Sequence, residues 1–152
     1  MANIAPHRFA AELLRGSWEI ATDEQKMRWQ RVLGTLLRNR VSRALRAPLR
    51  YEMSVADVNV VAPCEEARAR LTLRERLKER ELEIALRLVK HDLAWRVWDV
   101  ITDGASLVQI WRPRFQTVAR ERGLPGLEKE LAHLAQRLGV PNTLSSTLKA
   151  VQ

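Results

Sequence analysis

One cysteine, one tyrosine and two phenylalanines are all that a chain of 152 residues holds of these types. The lone Cys64 cannot form an internal disulfide, so the fold must rest on packing and hydrogen bonds, and its count fits oxidising and reducing compartments alike. Cys64 lies between Pro63 and Glu65, where a thiolate would meet carboxylates rather than activating cations, which argues against a nucleophile. Three histidines, His7, His91 and His133, fall in separate segments without ligand spacing, so neither a metal nor another cofactor is expected. No apolar run approaches the roughly 20 residues that span a bilayer. The start of the chain lacks the apolar core of a secretory leader, so an exported form is expected to have lost its leader already. Glycine-rich phosphate loops, internal repeats and low-complexity segments are also missing.

What is present is basic charge. Lys and Arg number 26 against 18 Asp and Glu, a formal charge of +8. Such a balance favours acidic partners, whether phospholipid head groups, nucleic acid or anionic protein faces. Arg38, Arg40, Arg43 and Arg46 cluster at the end of a predicted helix, where the macrodipole alone attracts cations. No zinc pattern or recognition-helix turn accompanies them, so nucleic acid is not expected as a partner.

Hydrophobic periodicity divides one domain, 1–152, into helical, sheet and helical parts over 5–47, 53–102 and 105–139, with 140–152 as a loose tail. Trp29, Val32, Leu33, Leu36, Leu37, Val41, Ala44 and Leu45 recur at three and four residue steps. This predicts the longest helix over 22–47, opened by a Thr22/Gln25 capping box and closed by Pro48. A shorter helix precedes it around Phe9, Leu13 and Leu14. From 53 onward the period falls to two, predicting strands at 53–61, 67–74, 81–89 and 94–101. Short connections imply that they pair in sequence order as an antiparallel meander. A later helix carries Leu107, Val108, Trp111, Phe115 and Val118, and Pro113 is expected to bend or split it. The last helix presents Leu127, Leu131, Leu134 and Leu138 before Gly139 and Pro141. The fold class is therefore α+β: a curved, four-stranded antiparallel sheet with amphipathic helices on one face, enclosing an apolar cavity as a cone.

Five tryptophans stand out: Trp18, Trp29, Trp95, Trp98 and Trp111. Trp95 and Trp98 have opposite parity on one strand, so they cannot share a sheet face. Asp99 shares alternation with Trp95, Val97 and Ile101 and is expected to point inward. His91 lies about 26 Å away along that strand, too far for an acid/base pair.

Residues 95–115 read WRVWDVITDGASLVQIWRPRF. This run resembles the MlaC, or toluene-tolerance, family of phospholipid-carrying proteins: Asp99, Val100, Asp103, Gly104, Ser106, Leu107, Val108, Arg112 and Phe115 match its pattern in register. The likeness extends forward to Gly123 and Leu127 and back to Trp18 and Thr22–Gln25. Ala105, Trp111 and Pro113–Arg114 depart from it, and the family's first helix has no counterpart before Ala5.

The resemblance implies an NTF2-like cone and a periplasmic shuttle, the soluble auxiliary of an ABC lipid transporter that maintains outer-membrane lipid asymmetry. Its implied partners are phospholipid, an inner-membrane transporter ring domain and an outer-membrane lipoprotein complex, met as a monomer. Leu33, Leu37, Leu86, Val97, Leu107, Val108, Trp111 and Phe115 are the residues expected to line the pocket. Asp99, Gly104, Ser106 and Arg112 are expected to be structural: Gly104 allows the strand exit, Ser106 caps the next helix with Gln109, and Arg112 reaches a carboxylate such as Asp99. No catalytic residue is expected. Two other readings stay open, an acid/base enzyme on a similar cone and a scaffold without ligand.

Overall fold

The computed structural model describes residues 3–45, 51–61, 65–75 and 80–141. In chain order these form helices α1 (Pro6–Leu14), α2 (Gly16–Ile20) and α3 (Asp23–Leu45), then strands β1 (Tyr51–Val61), β2 (Glu66–Glu75), β3 (Arg80–His91), β4 (Ala94–Thr102) and β5 (Ala105–Ser106). Helix α4 (Leu107–Leu138) closes the order. Cys64, Arg46, Pro48 and the tail from 142 lie outside the described residues.

Local chemistry accounts for the element ends. The Gln25 N–H donates to Thr22 Oγ1 at 3.1 Å and the Thr22 N–H donates to Gln25 Oε1 at 2.9 Å, so the capping box opens α3 as expected. A second box opens α4, where the Gln109 N–H donates to Ser106 Oγ and the Ser106 N–H to Gln109 Oε1. Gly139 ends α4 in the left-handed region at φ 71°.

The break in α4 is not where proline suggested. Backbone dihedrals remain helical through Pro113 and leave the helix only at Gly123, with φ 65° and ψ −165°. Proline removes one hydrogen bond, which a helix can survive. Glycine takes up a left-handed φ at little cost, and Pro125 then sits in the first turn of the new segment, where its missing N–H has no partner to lose.

All strands pair antiparallel in the order β1-β2-β3-β4-β5. The fifth, of two residues, was not foreseen. An Asp103–Gly104 turn with φ of 51° and 76° folds it back onto β4. Register places Val55, Leu71, Ile84 and Thr102 in one row across the sheet, with Val58, Ala69, Leu86 and Val100 in the next. These rows form the apolar face.

A bulge at Trp98 changes the parity of β4. Leu88 pairs with Val97 but Arg87 pairs with Asp99, so Val97 and Val100 both join the apolar face and Asp99 turns to the other. The expectation that Asp99 shares a face with Val97 is thereby corrected, because strict alternation holds only in an unbulged strand. Trp98 lies under the guanidinium groups of Arg8 and Arg87, 4.9 and 5.5 Å from the ring centre.

Phe9 and Leu13 of α1, Trp29, Leu33, Leu37 and Val41 of α3, and Phe115, Leu127 and Leu131 of α4 are almost wholly buried together. The helices gather against the β4 side of the sheet, and cover thins toward β1. Val55, Val58 and Val60, in register with buried Leu71 and Ala67 and half-buried Ala69, are 63%, 55% and 52% exposed. The apolar face thus runs out beyond the helical layer.

Candidate functional site

Asp99, Ser106 and Val108, three of the anticipated residues, meet around the start of α4. Asp99, with no exposed surface, accepts from the Ser106 hydroxyl at 2.7 Å, from the Val100 N–H at 3.0 Å and from the Val108 N–H at 3.2 Å. Arg87 stands 3.7 Å from its second oxygen. Val108 is the second residue of the helix, whose N–H has no partner within the helix, so Asp99 caps α4 from the neighbouring strand. Burial raises the Asp99 pKa above 3.8, outweighing the hydrogen bond from Ser106, that from Val108, the charge of Arg87 and the bond from Val100. A buried carboxylate with a raised pKa is what an acid/base enzyme would need, but here both oxygens are engaged and no substrate atom can reach them.

Arg112 goes elsewhere than Asp99. Its Nε and Nη2 donate to the Glu12 carbonyl at 3.0 and 2.8 Å, with the Glu12 carboxylate at 3.7 Å. That carbonyl belongs to the last turn of α1, so the guanidinium caps one helix from another. The bulge that turned Asp99 away and the docking of α1 against α4 explain the exchange of partner. Desolvation, followed by the nearby Arg15, lowers the Arg112 pKa below the ordinary guanidinium value against the pull of Glu12.

The eight residues anticipated as pocket lining converge in space. Leu33, Leu37, Leu86, Val97, Leu107, Val108 and Phe115 are buried in one cluster, and Trp111 packs half-buried on it, stacked on Phe115 with ring centres 5.8 Å apart. The side chains themselves fill the space between sheet and helices in this conformation. A cleft of about 130 Å³ remains at the seam where the end of α3 meets β4 and the start of α4, lined by Arg40, Arg43, Ala44, Val100, Thr102, Ala105, Leu107 and Ile110. That is below the roughly 300 Å³ at which small-molecule pockets begin.

Leu107 is the one anticipated lining residue on this cleft. Ala44, Ile110 and the two arginines were not placed there by periodicity, since the seam forms only when α3 crosses the sheet. Arg38, from the same basic cluster, lines instead a separate groove of about 320 Å³ with Pro6, Met27 and Arg31. Among the described residues no group of three or more His, Cys, Asp or Glu is placed to hold a metal, and no helix is long and apolar enough to cross a membrane.

Known proteins supply the remaining comparison. No curated protein matches this sequence. The phospholipid-binding protein of Ralstonia solanacearum, solved in complex with a phospholipid, superposes with a TM-score of 0.73 at 21% identity, covering 90% of this chain and 76% of that one. At that identity the likeness establishes the fold, an open antiparallel sheet with helices. The model of the MlaC protein family matches residues 2–133, nearly the whole described chain with its strand-to-helix knot at Asp99 and Ser106, and this protein is therefore a member of the MlaC family.

Proposed function

We propose that this protein is a phospholipid carrier that shields acyl chains between its sheet and helices and ferries lipid across the periplasm between two membranes. Family membership over residues 2–133 is the observation that carries the reading. The Ralstonia solanacearum protein of the same fold was captured with a phospholipid. Energetics explain why such a carrier needs an interior. Each exposed acyl CH₂ costs about 0.8 kcal/mol, so a chain of about sixteen carbons needs on the order of 12 kcal/mol of shielding.

The hydrocarbon enters at the seam between α3, β4 and α4 and spreads over the apolar sheet face toward β1. Leu33, Leu37, Leu86, Val97, Leu107, Val108, Trp111 and Phe115 become its lining when the seam opens, exchanging contacts with each other for contacts with lipid. Because those contacts are apolar on both sides, the exchange leaves no polar group stranded. The exposed valines of β1 extend the same surface outward. Asp99, Gly104, Ser106 and Arg112 keep the β4–α4 corner rigid while the seam moves, and no residue acts catalytically.

In this role the chain works as a monomer between an outer-membrane lipoprotein complex and the ring domain of an inner-membrane ABC transporter, in support of outer-membrane lipid asymmetry. Purified protein is denatured, extracted with organic solvent and analysed by mass spectrometry. Phospholipid at about one molecule per chain is expected. Absence of lipid, together with failure of the delipidated protein to take phospholipid from vesicles, would overturn the proposal.

A further inference from the structure

Strands β3 and β4 are joined by a two-residue turn, Asp92 and Leu93, closed by the pair His91 and Ala94. Both turn residues have positive φ, 48° and 67°. Such a turn matches the twist of its strands, and its second place normally holds glycine, which reaches the left-handed region at little cost. Asp92 suits the first place. Leu93 does not suit the second: it carries the backbone penalty of a side chain in that region and, at 90% exposed, recovers nothing by burial.

The surroundings of the tip are apolar on one side and basic on both. Trp95, two residues on, is 37% exposed and pairs with Lys90 across the hairpin. It lies on the same sheet face as Val97, whose row runs through Leu88 and Ala67 to the half-exposed Val60 of β1. Among the described residues Lys90 and Arg96 have no carboxylate partner, whereas the neighbouring Arg8, Arg70 and Arg87 do. The Arg96 Nε also lacks an acceptor. Of the acidic groups nearby, Asp92 lies 3.0 Å from His91 Nδ1 and Glu66 is held by Arg8, while Glu65 is exposed.

These groups are graded along the hairpin. The aliphatic side chain is at the extreme end, and the tryptophan and the lysine stand one cross-strand pair further back than His91 and Ala94. At about 3.3 Å per residue, Leu93 projects about 7 Å beyond Trp95 and Lys90. Interfacial segments sink into a bilayer by roughly 5–10 Å, with aliphatic groups deepest, indole at head-group level and cations at the phosphates. A socket in a protein partner would instead ask for a rim of contacts around its anchor, and a single side chain on a narrow turn offers none.

We propose that the β3–β4 tip is a membrane-docking element: Leu93 enters the edge of an anionic bilayer, Trp95 rests among its head groups, and Lys90 and Arg96 meet its phosphates. The inference goes beyond the carrier reading and needs no lipid inside the protein. One leucine and one partly exposed tryptophan give a weak, reversible contact, which lets the protein leave the surface again.

Flotation with vesicles of phosphatidylcholine and phosphatidylglycerol in equal parts, and of phosphatidylcholine alone, measures the docking. Wild type is expected to float with the mixed vesicles and several-fold less with the neutral ones. Leu93→Asn places a residue that tolerates the left-handed region, so binding should fall about tenfold while the melting temperature holds or rises. Lys90→Gln/Arg96→Gln is expected to bring binding to mixed vesicles down to the neutral level. Ile20→Asn, at the end of α2 and 70% exposed in wild type, is the control and should float unchanged.

Leu93→Asn that floats like wild type, or an equal loss in Ile20→Asn, overturns the proposal. Equal binding of wild type to both vesicles overturns the part given to Lys90 and Arg96. Wild type that floats with neither overturns the docking as a whole and assigns the tip to a protein socket. Phospholipid recovered by denaturing extraction is a separate measurement, so either reading can fail while the other stands.

Discussion

Removing the Asp99 carboxylate tests the idea that one side chain fastens helix α4 to strand β4. Asp99→Ala deletes an acceptor of three hydrogen bonds, at 2.7, 3.0 and 3.2 Å, and leaves the Val108 N–H at the helix start without its acceptor. Hydrogen bonds to a charged group contribute about 1.5–3 kcal/mol each. The cost of burying the carboxylate, visible in its raised pKa, offsets part of that sum. A net loss of about 3 kcal/mol follows, and at about 2–4 °C per kcal/mol for a chain of this size the melting temperature should fall by about 6–12 °C.

Asp99→Asn separates geometry from charge. Its oxygen can still accept from both backbone N–H groups, and its amide can donate to a rotated Ser106 hydroxyl, so a loss of about 1 kcal/mol is expected. Proton linkage adds a second signature. With the folded pKa above 3.8, the native state holds more protons than the unfolded state between those two values, so this group adds stability as pH falls through that window and none outside it. Wild type should therefore gain on Asp99→Asn as the buffer is acidified. Thermal melts followed by circular dichroism at several pH values measure both effects. Melting of Asp99→Ala within about 2 °C of wild type, or equal damage from both variants, refutes the reasoning.

Arg112→Ala removes both donors to the Glu12 carbonyl and should cost about 1–2 kcal/mol, read as a melting temperature about 3–6 °C lower. Gly126→Ala places a Cβ 2.2 Å from Arg122 Cβ just beyond the kink, a clash at the root of a side chain; a loss of about 1–3 kcal/mol is expected by denaturant unfolding. Gly16→Ala meets nothing within 4 Å and serves as the control, with stability unchanged or slightly raised. Ala44→Trp fills the seam cleft from its half-exposed wall, so phospholipid recovered by extraction should drop several-fold while the melt is preserved. Retention of the full lipid complement by Ala44→Trp would place entry elsewhere.

The arrangement suits the proposed carrier role, which asks a protein to open without unfolding. Polar fastenings are concentrated at the corner where β4 turns into α4 and where Arg112 ties α4 to α1. The seam between the end of α3 and the sheet is closed by apolar contacts and a cleft. Apolar contacts carry no directional requirement, so such a surface can part and re-form around hydrocarbon.

Much of this architecture was legible from residue order. Three-and-four spacing located α3, and period two located four strands whose pairing order then followed from short connections. The capping boxes at Thr22 and Ser106 and the left-handed stop at Gly139 were readable because a cap depends on residues within a turn of each other. The run from Asp99 to Phe115 carried the family resemblance for the same reason, being a strand, turn and helix start held together locally.

Tertiary structure alone decided the rest. The Trp98 bulge reversed the face of Asp99, since an inserted residue changes parity without leaving a mark in composition. Arg112 found a carbonyl on α1, 100 residues away in sequence, instead of the nearby Asp99. The break in α4 chose Gly123 over Pro113 because positive φ, not a missing N–H, is what reverses the chain. The seam that gathers Arg40 and Arg43 over Leu107 exists only once α3 lies across β4. Periodicity tells which face of an element is apolar, but which faces meet, and how much room they leave, is set by packing among elements distant in the chain.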